Sequence, residues 1–176
     1  MNWLAKLSLL SALTLLPILA NAVTTVSNDA ELKAAIENTA ETGGEPDGGL
    51  IILNEGVYGN TGSLLASFNA KSLTLRAAST SIVVLNGYLN ASTAMSDKSL
   101  TLQGLRLPSF INVGAGNTQV LESLNLLQCV LDTGTYLVAS TTAGNNPARS
   151  SSVGTLTMVG NTLNATTTVL NLYAKN

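Results

Sequence analysis

Arg76, Lys98, Arg106 and Tyr88 are the side chains of this sequence best suited to chemistry. A guanidinium or ammonium can neutralise a carboxylate, and a base such as a tyrosine phenolate can take a proton from carbon. The wider set of cations includes Lys71 and Arg149, and the wider set of tyrosines includes Tyr58 and Tyr136. The competing reading is that these are solvated charges keeping a surface wet, the ordinary state of such residues. The sequence contains no histidine. That removes the commonest general base and the commonest transition-metal ligand, and it excludes Ser-His-Asp and Cys-His catalysis. The one cysteine, Cys129, can form no intramolecular disulfide and reads as a small buried hydrophobe.

Charged residues make up 10% of the chain and the net formal charge is −2. The basic residues are scattered and aromatic residues amount to 4%, which argues against a nucleic-acid partner. Asp97 and Lys98 read as a turn, and Asp132 as part of a D-T-G turn. The loop 41–47 carries three acids but lacks the alternating spacing of a calcium loop, so no metal site and no cofactor are expected. Asn90 and Asn164 match the N-glycosylation pattern, which chance supplies readily in a chain rich in Asn, Ser and Thr.

The elements that must position these side chains are short β-runs. LIIL at 50–53, LTLRA at 73–77, IVVL at 82–85, LTLQGL at 100–105, FINV at 110–113, LNLL at 124–127, YLVA at 136–139, LTMV at 156–159 and VLNLY at 169–173 alternate with Gly, Asn, Ser and Thr turns. Four of them share one template: SLTLR from Ser72, SLTLQ from Ser99, SLNLL from Ser123 and TLTMV from Thr155, spaced by 27, 24 and 32 residues. Leu107, Leu131 and Leu163 each fall eight positions after a template start. Irregular repeats of this length with several strands each signify a solenoid.

Strand alternation assigns the faces. Leu73/Leu75, Leu100/Leu102, Leu124/Leu126 and Leu156/Met158 point to the core. Ser72/Thr74, Ser99/Thr101, Ser123/Asn125 and Thr155/Thr157 point outward, stacking at about 4.8 Å per rung and about 6.6 Å along a strand. The fifth position is also outward and aligns Arg76 with Gln103, then turns apolar at Leu127 and Val159. Thr74, Arg76, Thr101, Gln103, Asn125 and Thr157 are therefore the expected ligand-contacting face.

A solenoid needs its open ends covered. Asn28 reads as an N-cap, with Glu31 three residues on and Leu32, Ala35 and Ile36 on one face, which predicts a helix over 28–38 lying on the first rung. The far end shows no equivalent, so self-association, a partner chain or downstream sequence is expected to cover it. Ahead of the domain, a basic start, an apolar run from Leu7 to Leu19 and Ala20-Asn21-Ala22 form the three-part pattern of a secretory signal peptide. Residues 1–22 are expected to be removed, leaving 23–176 as one domain that is secreted, periplasmic or at the cell surface, without a membrane span.

The block SNDAELKAAIENTAETGGEPDGGLIILNEGVYG, Ser27 to Gly59, resembles the opening of pectate-lyase-like β-helix proteins. Within that family it is most similar to polysaccharide lyases of the chondroitinase B and alginate lyase type. SLTLQGLRL and SLNLLQCVL look like a domain of unknown function in secreted bacterial β-helix proteins. The resemblance spans most of the chain after residue 22. It implies an all-β, right-handed parallel β-helix, here of about five coils with a short N-terminal capping helix. In such lyases a Lys/Arg pair and often a Ca²⁺ site serve catalysis, but no motif here carries those positions over residue by residue.

Three readings follow. The first is a secreted module that contacts extracellular polysaccharide without catalysis. The second is a polysaccharide lyase, or a fragment of one, acting on uronate-containing glycans through Arg76, Arg106, Lys98 and Tyr88, with Ca²⁺ entering only in that case. The third is a structural or adhesive surface solenoid, with ice binding by the hydroxyl ladder as a special case.

Overall fold

The computed structural model describes residues 23–39, 42–68, 71–79, 82–91, 95–108, 111–112, 121–132, 138–139 and 153–164. The expected signal peptide, the VLNLY run, Tyr136 and Arg149 lie outside them.

The chain opens with β1 (Val23–Val26) and α1 (Asp29–Glu37), then winds through strands that never exceed nine residues. These are β2 (Gly49–Leu53), β3 (Gly56–Tyr58), β4 (Leu64–Ser67), β5 (Leu73–Ala77), β6 (Val83–Leu85) and β7 (Tyr88–Asn90). They continue as β8 (Met95–Gln103), β9 (Arg106–Leu107), β10 (Ile111–Asn112), β11 (Leu121–Leu127), β12 (Val130–Leu131), β13 (Val138–Ala139), β14 (Val153–Val159) and β15 (Thr162–Leu163). Every third strand returns to the same sheet. The first sheet runs β1-β2-β5-β8-β11-β14, the second β3-β6-β9-β12-β15 and the third β4-β7-β10-β13, with parallel pairing throughout. The architecture is a parallel β-solenoid, as the repeats predict. Three full turns close between β2 and β11, and a fourth is described in part, so the expected count of about five coils is slightly high.

The template repeats set the register. Leu73 pairs with Leu100, Leu100 with Leu124 and Leu124 with Leu156, and Leu75, Leu102, Leu126 and Met158 form the parallel row. The first three members of each row are buried. Each such leucine contributes about 1.5–3 kcal/mol relative to exposure. Leu156 and Met158 are only partly buried, because among the described strands nothing follows β14 in its sheet. Leu107, Leu131 and Leu163 stack in the second sheet, with Leu163 56% exposed at the same end.

At the other end α1 packs chiefly on β4 and also touches β1 and β2. Asn28 Oδ1 accepts the Glu31 N–H at 3.0 Å, and the Glu31 carboxylate accepts from the Ser27 N–H and the Asn28 amide, both at 2.7 Å. Leu32, Ala35 and Ile36 are the buried face of the helix, as its spacing predicts. No helix among the described residues is long and apolar enough to cross a membrane.

Two expectations are corrected. Asp97 and Lys98 lie within β8 rather than in a turn, because β8 begins at Met95, where it pairs with Leu121 ahead of a register shift. Lys71, grouped above with surface cations, is buried at 7% exposure.

Candidate functional site

The outer face of the first sheet carries three side-chain columns. Ser72, Ser99, Ser123 and Thr155 form one, with the Ser99 N–H donating to Ser72 Oγ at 3.0 Å and Ser123 Oγ donating to Ser99 Oγ at 2.8 Å. Thr74, Thr101, Asn125 and Thr157 form the second, in register and half-buried, with Asn125 Nδ2 donating to Thr101 Oγ1 at 3.1 Å. Ile52, Arg76, Gln103, Leu127 and Val159 form the third. The six residues expected to contact a ligand thus stand in two adjacent columns of one face.

The third column borders the corner where the first sheet bends into the second. The bend is made by residues in left-handed backbone geometry: Gly104 (φ 68°), Gln128 (φ 55°) and Gly160 (φ 66°). They occupy the sixth template position in three consecutive coils. Gln128 is the sole non-glycine residue with positive φ among the described residues. A groove of about 580 Å³ follows this corner, lined by Ile52, Arg76, Ala77, Ala78, Ser79, Gln103, Gly104 and Gln128. Sequence reasoning missed Gln128. The signal was present, since it stands where the neighbouring coils have glycine.

The four candidates for catalysis are not brought together. Arg76 is exposed in the groove, and its guanidinium has no ion pair or hydrogen bond among the described residues. Arg106 lies on the second sheet, where its Nε pairs with the Asp132 carboxylate and Asn164 Nδ2 donates to the same carboxylate at 2.7 Å. The Asn164 amide and the Arg106 guanidinium hold the Asp132 carboxyl below its ordinary range. A second depression is lined by Ile82, Gly104, Arg106, Val130 and Asn164.

Lys98 is committed to Asp47 at 2.8 Å and Asp97 at 3.3 Å. Those two bonds raise its ammonium above the ordinary lysine value, and the Lys98 bond, with the Ser72 N–H, lowers the Asp47 carboxyl. Tyr88 lies on the third sheet, half-buried beside the buried Leu89. A cation and a base within reach of one proton are therefore not assembled from these four side chains.

Among the described residues two charged groups depart from a solvated surface role, Lys71 and Glu45. Lys71 is the one with partners. Its ammonium donates to the carbonyls of Glu45 at 2.7 Å, Asn38 at 2.8 Å and Ala35 at 3.3 Å, which uses all three of its N–H bonds. It thereby ties the last turn of α1 to the loop that leads into β2. Burial pushes its pKa down, partly opposed by the Glu45 charge. The Glu45 side chain is buried, and neither carboxylate oxygen has a hydrogen-bond partner among the described residues.

Cys129 is buried, its thiol is pushed up by burial, and its Sγ contacts the Leu102 carbonyl at 3.4 Å. Among the described residues no three His, Cys, Asp or Glu side chains gather as a metal site. No protein-family model, curated protein or solved structure matches this chain.

Proposed function

We propose that this protein is an exported module that contacts extracellular polysaccharide without catalysis. The observation that carries the reading is the outer face of the first sheet. Thr74, Thr101, Asn125 and Thr157 stack in register beside Arg76 and Gln103, and a groove runs along their border. Hydroxyl and amide groups repeating at about 4.8 Å present donors and acceptors in a line, the pattern an extended polyhydroxylated chain can follow. The dispersal of Arg76, Lys98, Arg106 and Tyr88 over three sheets supports binding rather than bond cleavage. The three-part pattern of residues 1–22 supports export.

The test is pull-down of the purified protein on a panel of neutral and uronate polysaccharides, with ultraviolet absorbance of the same mixtures reporting unsaturated lyase products. Binding without absorbance, weakened by Thr101→Arg at the centre of the face, is the expected result. Absorbance that rises with time and is abolished by Arg76→Ala would make the protein a lyase. Silence in both channels would refute the glycan reading.

A further inference from the structure

The corner groove differs from the rest of the polar face in three respects. Among the described residues, Lys33 pairs with Glu37, Lys98 with Asp47 and Asp97, and Arg106 with Asp132, while Lys71 is buried among carbonyls. Among the described residues Arg76 alone is a cation whose side chain has no partner, and it lines the groove. Two neutral amides, Gln103 on the next rung and Gln128 one coil further, line the same groove. Gln128 holds a backbone conformation that glycine adopts freely and that the corners before and after it assign to glycine. Local strain of this kind clusters at ligand-contacting sites, and here the strained residue lines the groove.

We infer that the groove between Arg76, Gln103 and Gln128 is a binding site for a carboxylate carried by the ligand. A guanidinium offers a planar fork that matches the two oxygens of a carboxylate, and side-chain amides can donate to the same oxygens. A single cation among neutral donors suits a monoanion better than a phosphate monoester of higher charge, and the planar fork matches the two coplanar oxygens of a carboxylate. Gly104 also lines the groove, and a Cβ there would lie 3.6 Å from the Ala77 methyl, another lining group. This inference adds a charged subsite to the polysaccharide reading and rests on it only for the identity of the larger ligand.

The test is a titration of the ¹⁵N-labelled protein with sodium acetate, sodium sulfate and sodium chloride at matched ionic strength, read at the Arg76 Nε–H and the Gln103 and Gln128 side-chain amides. Acetate is expected to shift these resonances saturably where chloride does not. Arg76→Gln is expected to weaken binding about tenfold or more. Gln128→Gly is expected to weaken binding while raising the melting temperature, a combination that a merely structural role for Gln128 would not produce. Non-saturating shifts equal to those with chloride overturn the site, and sulfate saturating at lower concentration than acetate overturns the carboxylate assignment.

A parallel binding assay compares dextran, carboxymethyl-dextran and the glycans of the panel. Acetate binding at Arg76 with no binding to any polymer leaves the carboxylate site standing and removes the polysaccharide reading. Polymer binding unchanged by Arg76→Gln, without an acetate response, does the reverse.

Discussion

Replacing Lys71 by methionine probes how the capping helix is fastened to the solenoid. The methionine keeps most of the buried stem and removes the ammonium that serves the carbonyls of Ala35, Asn38 and Glu45. A hydrogen bond to a charged group has a net worth of about 1.5–3 kcal/mol, so three of them amount to roughly 4.5–9 kcal/mol. The desolvation of a buried ammonium, several kcal/mol, opposes this. The variant also loses the cation nearest in effect to the buried Glu45 carboxylate. Breaking a buried charged cluster from one side costs about 3–5 kcal/mol, and that is the expected loss. At about 2–4 °C per kcal/mol for a chain of this size, the melting temperature falls by roughly 6–20 °C.

The double variant Lys71→Met with Glu45→Gln is expected to recover part of the loss. The linkage to pH has a definite sign. Burial lowers the folded-state pKa of Lys71 below the ordinary value of 10.5, so between those two values the unfolded chain binds more protons. The desolvation cost of the ammonium therefore opposes its three hydrogen bonds in full below the folded-state value and is relieved as pH rises from there to 10.5. Urea unfolding of both proteins across that alkaline range measures the difference directly. A loss below about 1 kcal/mol for Lys71→Met, the level of a surface pair, refutes the clamp.

Core truncation should report position along the solenoid. Leu102→Ala is expected to lose about 2–5 kcal/mol, and Leu156→Ala, half-exposed at the far end, clearly less, as equilibrium unfolding will show. The Lys98 bond that lowers the Asp47 carboxyl makes a stabilising contribution that is present above the ordinary aspartate value of 3.8 and lost as pH falls through the folded-state value. Lys98→Met is expected to move the Asp47 midpoint upward in a carboxyl-carbon NMR titration, and an unmoved midpoint rejects the pairing. Gln128→Gly is expected to gain about 0.5–1 kcal/mol from relief of the left-handed backbone, read by thermal unfolding.

The rows of the first sheet are legible in the sequence because alternation and repetition report the same thing twice. Leu100 and Leu102 had to point inward for strand reasons, and their counterparts 24 residues later had to sit beside them for repeat reasons. The capping helix was equally plain, since Asn28 and Glu31 bond as their spacing implies. What escaped was whatever depends on how successive elements meet. The three acceptors of Lys71 come from a helix end and a loop, so no local pattern marks it as buried. Asp97 and Lys98 looked like a turn because polar residues ahead of a template resemble one, yet backbone pairing with β11 extends the strand through them. The left-handed corner at Gln128 was visible only by comparing coils at their sixth position. Arg76, Arg106, Lys98 and Tyr88 were grouped by chemical type, and winding distributes them over three sheets.

The cap on one end and the half-exposed rung at the other have a consequence for how the molecule opens. Each coil touches mainly its neighbours, so the loss of one rung exposes the next without disturbing distant ones. Among the described strands, opening free energies should therefore be lowest at β14 and β15 and highest around β5 and β8. Amide exchange would then proceed as an ordered unzipping toward α1, and the Asn125 and Thr157 rungs would trade protons with solvent before the Thr74 rung does.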